Sequence, residues 1–286
     1  MAVARSGTIE LGGKTVNRLG YGAMRITGKG IWGPPKDRAE AVRVLRRAVE
    51  LGVTFIDTAD SYGPYVSEDL IRDALHIGGG YGDVVVATKG GLTRSGPDVW
   101  PPLGRPEYLR QCILMSLRRL DVEQIDLWQL HRIDPKTPRE DTFGEIKSFV
   151  DEGLAKQIGL SEVTVEEIEA AQAAGLEIAS VQNLYNVGNR KAEDVVDFCD
   201  KNGIAFIPWF PINSGSLAAP GGPLDEVAKN HGDTTVSQLA LAWLLHRSPV
   251  VVPIPGTSSV AHLEENLGAA DVTLTDDEFQ TLSDAA

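Results

Sequence analysis

The 286-residue sequence predicts an α/β fold, a (β/α)8 TIM barrel with an N-terminal β-hairpin and extra C-terminal helices. Three observations predict it. Strand-like and helix-like runs alternate with little interruption from Leu19 onward. The strand candidates, eight in all, are short and β-branched, as suits strands covered on both faces. Three consecutive ones finish in an ionisable residue, at Asp57, Lys89 and His131. Active sites in this fold gather where strands run into helices, at the C-terminal face. A doubly wound open sheet would carry a Gly-rich GxGxxG turn after its first strand, and Gly20-Tyr-Gly22-Ala-Met-Arg does not fit one.

Taken in order, Thr8–Leu11 and Lys14–Asn17 read as a short hairpin turned by Gly12-Gly13. Leu19–Gly22 is the first inner strand. Residues 38–51 carry a helical stripe at Ala41, Val42, Leu45, Ala48 and Val49, stopped by Gly52. Strand Val53–Asp57 and helix Ser67–His76 follow, then strand Asp83–Thr88 and helix Glu107–Leu120. Gln124–His131, Pro138–Glu152, Ala155–Leu160, Val165–Ala174, Ile178–Gln182 and Ala192–Lys201 continue the alternation. Ile204–Pro208, Thr234–Arg247 and Val250–Ile254 complete it. With no linker, repeat or low-complexity segment, residues 1–286 read as one barrel domain.

Composition bounds the function. Apolar content of 42% and charged content of 23% are ordinary for a soluble globular protein. A net charge of −13 would repel nucleic acid and anionic membrane, so neither is an expected partner. Cys112 and Cys199 fall in helical segments and read as small buried thiols. No His/Cys spacing suits a metal, so none is expected. The N-terminus lacks the apolar core of a signal peptide, and no stretch is long enough to span a bilayer. The expected compartment is the cytoplasm.

The chemistry-bearing segments are Asp57-Thr-Ala-Asp-Ser-Tyr62-Gly63, Thr88-Lys89-Gly-Gly and Leu130-His131. Each residue has an ordinary reading: Asp57 as a cap, Tyr62 as a loop aromatic, Lys89 as a solvated strand end and His131 as a satisfied core histidine. Lys89 also suits a Schiff-base aldolase on the same barrel. Together they suit carbonyl reduction. A phenol, which in water titrates near pH ~10, is a poor acid, but a lysine ammonium beside it stabilises the phenolate and lowers that value. An aspartate keeps the lysine charged, and a histidine can hold the carbonyl oxygen. The hydride must come from a cofactor, since no side chain supplies one.

From Leu19 to about residue 270 the chain resembles an aldo-keto reductase. The carrying segments are Leu19-Gly-Tyr-Gly-Ala-Met24, Phe55–Gly63, Thr88-Lys89, Leu130-His131, Ile158-Gly-Leu-Ser161, Val181-Gln182-Asn183 and Ile254–Ser259. The resemblance implies a catalytic tetrad of Asp57, Tyr62, Lys89 and His131, with Tyr62 as general acid. It implies NADP(H) as cofactor, with NAD(H) as the alternative, and a small-molecule carbonyl substrate. Ser161 and Gln182 would hold the nicotinamide carboxamide, Trp209 would stack on the ring, and Gly22, Met24 and Asp57 would line that end. Pro211 to Leu217, with Ser214, would pass over the pyrophosphate. Gly256, Thr257 and Ser258, opening a helix, would hold a phosphate, with His262 nearby and Glu265 and Asn266 at adenine.

Two departures matter. Glu162 stands where many members have Asn, free to accept from the carboxamide or to point away. No Lys or Arg follows Arg247, where members specific for NADPH place a cation against the 2′-phosphate. Val16–Met24, Trp32–Arg38, Ala240–Pro249 and Ile254–Leu263 resemble the bacterial branch that contains pyridoxal reductases (pyridoxine 4-dehydrogenases). Trp32, Trp100 and Phe210 would then stack on a flat substrate. The expected activity is NAD(P)H-dependent reduction of an aldehyde or ketone, pyridoxal among them. The alternative is a nucleotide-binding sensor or accessory protein on the same barrel with little turnover.

Overall fold

The structure is a computed structural model that describes residues 2–212 and 220–285. Strands β1 (Thr8–Leu11) and β2 (Lys14–Asn17) form the expected antiparallel hairpin. Its turn places Gly12 and Gly13 at φ 66° and 74°, the left-handed pair that a tight hairpin requires. Leu11 and Val16 pack against Phe55, Val85, Leu127 and Ile207. Lys14 Nζ reaches Asp126, at the start of a strand, and the Gly12 amide donates to Gln157. The hairpin therefore plugs the N-terminal mouth of the barrel.

Seven parallel strands follow, each paired to its sequence neighbours: β3 (Tyr21–Gly22), β4 (Phe55–Asp57), β5 (Val85–Gly90), β6 (Ile125–Leu130), β7 (Ala155–Ser161), β8 (Ile178–Gln182) and β9 (Ala205–Phe206). The expected eighth strand, Val250–Ile254, is not a regular strand but still closes the ring. Phe206 N donates to Val250 O and Val252 N to Phe206 O on one side; Gly20 N donates to Pro253 O and Gly22 N to Pro255 O on the other. Pro253 and Pro255 have no N–H to donate. The seam toward β3 is thus held by acceptors alone, and regular strand geometry lapses there.

Helices α1 (Arg38–Glu50), α2 (Val66–Leu75), α3 (Pro106–Leu120), α4 (Arg139–Asp151), α5 (Val165–Ala173) and α6 (Glu193–Asn202) lie close to their expected bounds. Each turns an apolar stripe inward, as α3 does with Leu109, Ile113, Leu117 and Leu120. Cys112 and Cys199 are buried free thiols. The chain also forms α7 (Pro223–Ala228), α8 (Val236–Arg247), α9 (Val260–Leu267) and α10 (Asp276–Asp284). Residues Leu239 to Leu244 of α8 are all buried, because α7, α9 and α10 cover the faces the barrel leaves open. No helix among the described residues is long and apolar enough to cross a membrane.

Alternation along the strands sets the position of the site. Phe55, Val85, Ala87 and Leu127 face inward and form an apolar floor. One pleat higher, the same inward faces carry Asp57, Lys89 and Gln129. A polar layer therefore rests on an apolar one at the strands' C-terminal ends.

A Cβ at Gly12 would meet Val85 Cγ1 at 2.6 Å, whereas one at Gly13 would find only Lys156 Cδ at 3.7 Å. Both glycines have positive φ, so both alanine variants share the backbone strain. Gly12→Ala is expected to cost about 1–3 kcal/mol more than Gly13→Ala, from overpacking. Thermal unfolding of the two variants checks this; equal losses would show that the plug is not packed against the barrel.

Candidate active site

The loop after β4 keeps pairing with β5 beyond the regular strand. Thr58 N donates to Ala87 O and Asp60 N to Lys89 O. This carries Asp57 alongside Lys89 and returns Tyr62 over them. Lys89 is fully buried, Asp57 is 2% exposed, and Tyr62 and His131 are 6% exposed. Lys89 Nζ donates to Asp57 Oδ2 at 2.7 Å and to Thr58 O at 2.8 Å, and lies 3.5 Å from the Tyr62 hydroxyl. Asp57 Oδ1 accepts from Gln129 Nε2 at 3.1 Å and Gln182 Nε2 at 2.9 Å. His131 meets the Tyr62 ring edge-on, with centroids 5.9 Å apart, and its Nδ1 lies 3.3 Å from Ser61 Oγ.

Burial pushes the Tyr62 phenol above its ordinary value; Lys89 opposes this, and Asp57 adds to it. The expected lowering by lysine is thus present but outweighed by desolvation, so Tyr62 keeps its proton at neutral pH. Burial also acts to lower Lys89, but Asp57 and Tyr62 outweigh it and hold the ammonium above the usual lysine range. A Schiff-base lysine must lose its proton, and Lys89 is built to keep it. His131 lies well below its ordinary value, through burial and then Lys89, Arg132 and Arg94. Its imidazole is neutral. With Nδ1 facing Ser61, Nε2 is the ring nitrogen left to meet a ligand.

Above this layer opens a cavity of about 890 Å³. Its walls include Tyr62, His131, Ser161, Gln182, Trp209 and Gly256. Ser161 Oγ accepts from Arg132 Nη1 at 2.9 Å, which leaves its O–H to donate. Gln182 Nε2 is committed to Asp57, which leaves Oε1 to accept. One donor and one acceptor on adjacent strand ends match a primary carboxamide.

The Aldo/keto reductase family profile matches residues 18–286. The chain is 54% identical over 281 residues to an uncharacterized oxidoreductase of Schizosaccharomyces pombe, covering 98% of this chain and 90% of that one. It is 41% identical over 284 residues to the pyridoxine 4-dehydrogenase of Escherichia coli, covering 97% of each. A thermostable aldo-keto reductase, solved in complex with the inhibitor epalrestat, superposes with a TM-score of 0.85 at 32% identity, covering 98% of this chain and all of that one. The chain belongs to the aldo/keto reductase family. It is an oxidoreductase on that family's (β/α)8 barrel.

Within this reductase, the residues expected at the site divide by position. Gly22, Met24, Asp57, Tyr62, Trp100, His131, Ser161, Gln182, Trp209, Phe210, Pro211 and Gly256 all line the cavity, and Lys89 lies beneath it. Gly22 and Gly256 also have a packing reason to be glycine: a Cβ on either would come within 2.7 Å of a backbone oxygen across the seam. Trp32 does not line the cavity. It is 37% exposed, and its ring lies 5.5 Å from the Arg94 guanidinium, outside the wall. Ser214 lies outside the described residues.

Thr257, Ser258, His262, Glu265 and Asn266 are also absent from the wall. Helix α9 opens at Val260 rather than at Gly256, and the Val260 amide donates to Glu40 Oε1 at 3.1 Å. A carboxylate from α1 thus takes the first helical N–H that was expected to face a phosphate. Thr257 Oγ1 accepts from the Ser259 amide, and the Tyr21 hydroxyl donates to Thr257 O. Glu162 points away from the carboxamide position: its Oε1 accepts from Trp209 Nε1 and the Leu184 amide, both at 2.6 Å. It holds the indole edge.

Sequence reading missed four participants. Gln129 shares the inward parity of His131 in β6, a signal that was available. Arg25 and Arg132 line the cavity but occur in no recognisable pattern. Arg94 donates to the carbonyls of Gly30, Ile31, Ser61, Gly96 and Val99, and lies 3.5 Å from the Trp100 ring centroid. One side chain thereby joins three loops around Tyr62.

Behind the Tyr62 loop, Asp60 is buried, and its Oδ1 has no partner among the described residues. Burial and then Glu68 raise its carboxyl from 3.8 to about 7, against Cys112, Arg119 and the Ser61 amide. The folded state therefore binds this proton more tightly than the unfolded one. Its contribution to stability is complete below about pH 4 and declines as pH rises to about 7. The stability of wild type relative to Asp60→Asn should fall across that window, by at most about 1.4 kcal/mol per pH unit. Urea unfolding at pH 5, 6 and 7 measures it; parallel curves would mean that Asp60 is ionised when folded.

Proposed function

We propose that this protein reduces an aldehyde or ketone to an alcohol with NADPH, Tyr62 donating the proton. One observation carries the reading: a protonated Tyr62 hydroxyl sits 3.5 Å from a buried ammonium that is itself fixed by Asp57, on the floor of an open cavity. The nicotinamide supplies a hydride to the carbonyl carbon when bound. Ser161 and Gln182 would hold its carboxamide through the donor and acceptor they leave free. Trp209, fixed by Glu162, would cover its ring. His131 Nε2 would orient the carbonyl oxygen, and Tyr62 would give that oxygen its proton as negative charge develops there. Lys89 stabilises the phenolate that remains, and Asp57 keeps Lys89 in place.

Arg25 is the cation at the cavity mouth beside Gly256. It would offer a phosphate of NADP(H) a cation where no Lys or Arg follows Arg247. Pyridoxal is the proposed substrate. Its support is the 41% identity to pyridoxine 4-dehydrogenase and the Trp100 ring, which stands edge-on to Tyr62 with centroids 6.3 Å apart.

NADPH and NADH oxidation with pyridoxal and simple aldehydes tests this. Tyr62→Phe should lower kcat by about 10²- to 10⁴-fold while NADPH still binds. Turnover retained in Tyr62→Phe would remove the phenol from the mechanism, and cofactor binding without any turnover would favour a sensor.

A further inference from the structure

Arg25 and Arg132 both line the catalytic cavity without a counter-ion among the described residues; Arg25 is exposed, and Arg132 is half-buried. Arg132 Nη1 donates to His131 O at 2.5 Å and Ser161 Oγ at 2.9 Å, both neutral acceptors. Its Nε and Nη2 have no acceptor among the described residues, and no carboxylate there pairs with it. Arg110, Arg119 and Arg247, by contrast, are each paired with carboxylates. Arg94 spends its donors on carbonyls instead. The carboxylate of Glu162 is held by Trp209 and the Leu184 amide. Burial makes the Arg132 charge costly, which Glu162 and Tyr62 only partly offset. A half-buried guanidinium with an open donor edge is a built receptor for an anionic oxygen.

We propose that Arg132 selects carbonyl substrates that carry an anionic oxygen, a phenolate or carboxylate, next to the reacting carbonyl. The proposal rests on the reductase reading, because it places that oxygen beside a carbonyl held at Tyr62 and His131. Arg132 follows His131 directly in the chain, anchors Ser161 and lines the cavity with both. Pyridoxal has such an oxygen in the ring hydroxyl ortho to its aldehyde. A neutral aldehyde of the same shape leaves the guanidinium unpaired and should be a poorer substrate.

The test compares 2-hydroxybenzaldehyde with 2-methoxybenzaldehyde in wild type, Arg132→Met and Arg132→Lys, across the pH range in which the phenol ionises. In wild type the ratio of kcat/KM for the hydroxy over the methoxy compound should rise as the phenol ionises. In Arg132→Met that ratio should fall about 10- to 100-fold, and Arg132→Lys should restore part of it. A second readout needs no turnover: tryptophan quenching by 2-hydroxybenzoate, against 2-hydroxybenzamide, in the NADP-loaded protein. Carboxylate binding should weaken by a similar factor in Arg132→Met and amide binding much less. Equal losses on both aldehydes and both binders would overturn the proposal and leave Arg132 as a positioning residue for Ser161. If neither aldehyde turns over but carboxylate binding still depends on Arg132, the reductase reading fails and the anion receptor stands. Should Arg132→Met fail to fold, a wild-type ratio that ignores phenol ionisation would overturn the proposal by itself.

Discussion

Lys89 and Asp57 are two charges held 2.7 Å apart where neither reaches solvent to any extent, and much of the site follows from keeping them there. Burying an ion pair costs several kcal/mol per charge and is tolerated when the geometry is good and the remaining lone pairs are satisfied. Both conditions hold. Thr58 O takes a second proton of the ammonium, and Gln129 and Gln182 satisfy the far oxygen of Asp57. Four strands each supply one member of this network, so the barrel must be closed and in register before the pair can exist.

The charged layer in turn sets the chemistry above it. Lys89 faces the Tyr62 hydroxyl, and burial, followed by Lys89, Arg132 and Arg94, keeps His131 neutral. Burial keeps Tyr62 protonated. The outcome is a neutral phenol and a neutral imidazole at the floor of a cavity. Arg94 ties the Tyr62 loop to its neighbours from outside, while the hairpin plug closes the opposite mouth of the barrel.

Part of the cavity floor was legible because strand ends are local signals. Asp57, Lys89 and His131 could be placed on one rim without any knowledge of contacts, and Gln129 could have been added by parity. The roles of Glu162, Arg94 and Arg132 were not legible. Glu162 meets Trp209 across 47 residues of sequence, from a left-handed backbone (φ 56°). Arg94 binds carbonyls, which any residue could offer. Glu40 occupies the start of α9 from a helix more than two hundred residues earlier. The seam strand was expected as regular because Val250–Ile254 is β-branched, but the two prolines govern its hydrogen bonding.

The most direct test is a double-mutant cycle on the buried pair, with Asp57→Asn, Lys89→Met and the combined variant compared by urea unfolding. Each single variant leaves an uncompensated buried group and should lose about 3–5 kcal/mol. The double variant should recover a large part of that, giving a coupling energy of at least about 1.5 kcal/mol. Losses that simply add, within about 0.5 kcal/mol, would show that the two charges do not depend on one another, and the site would then rest on some other support.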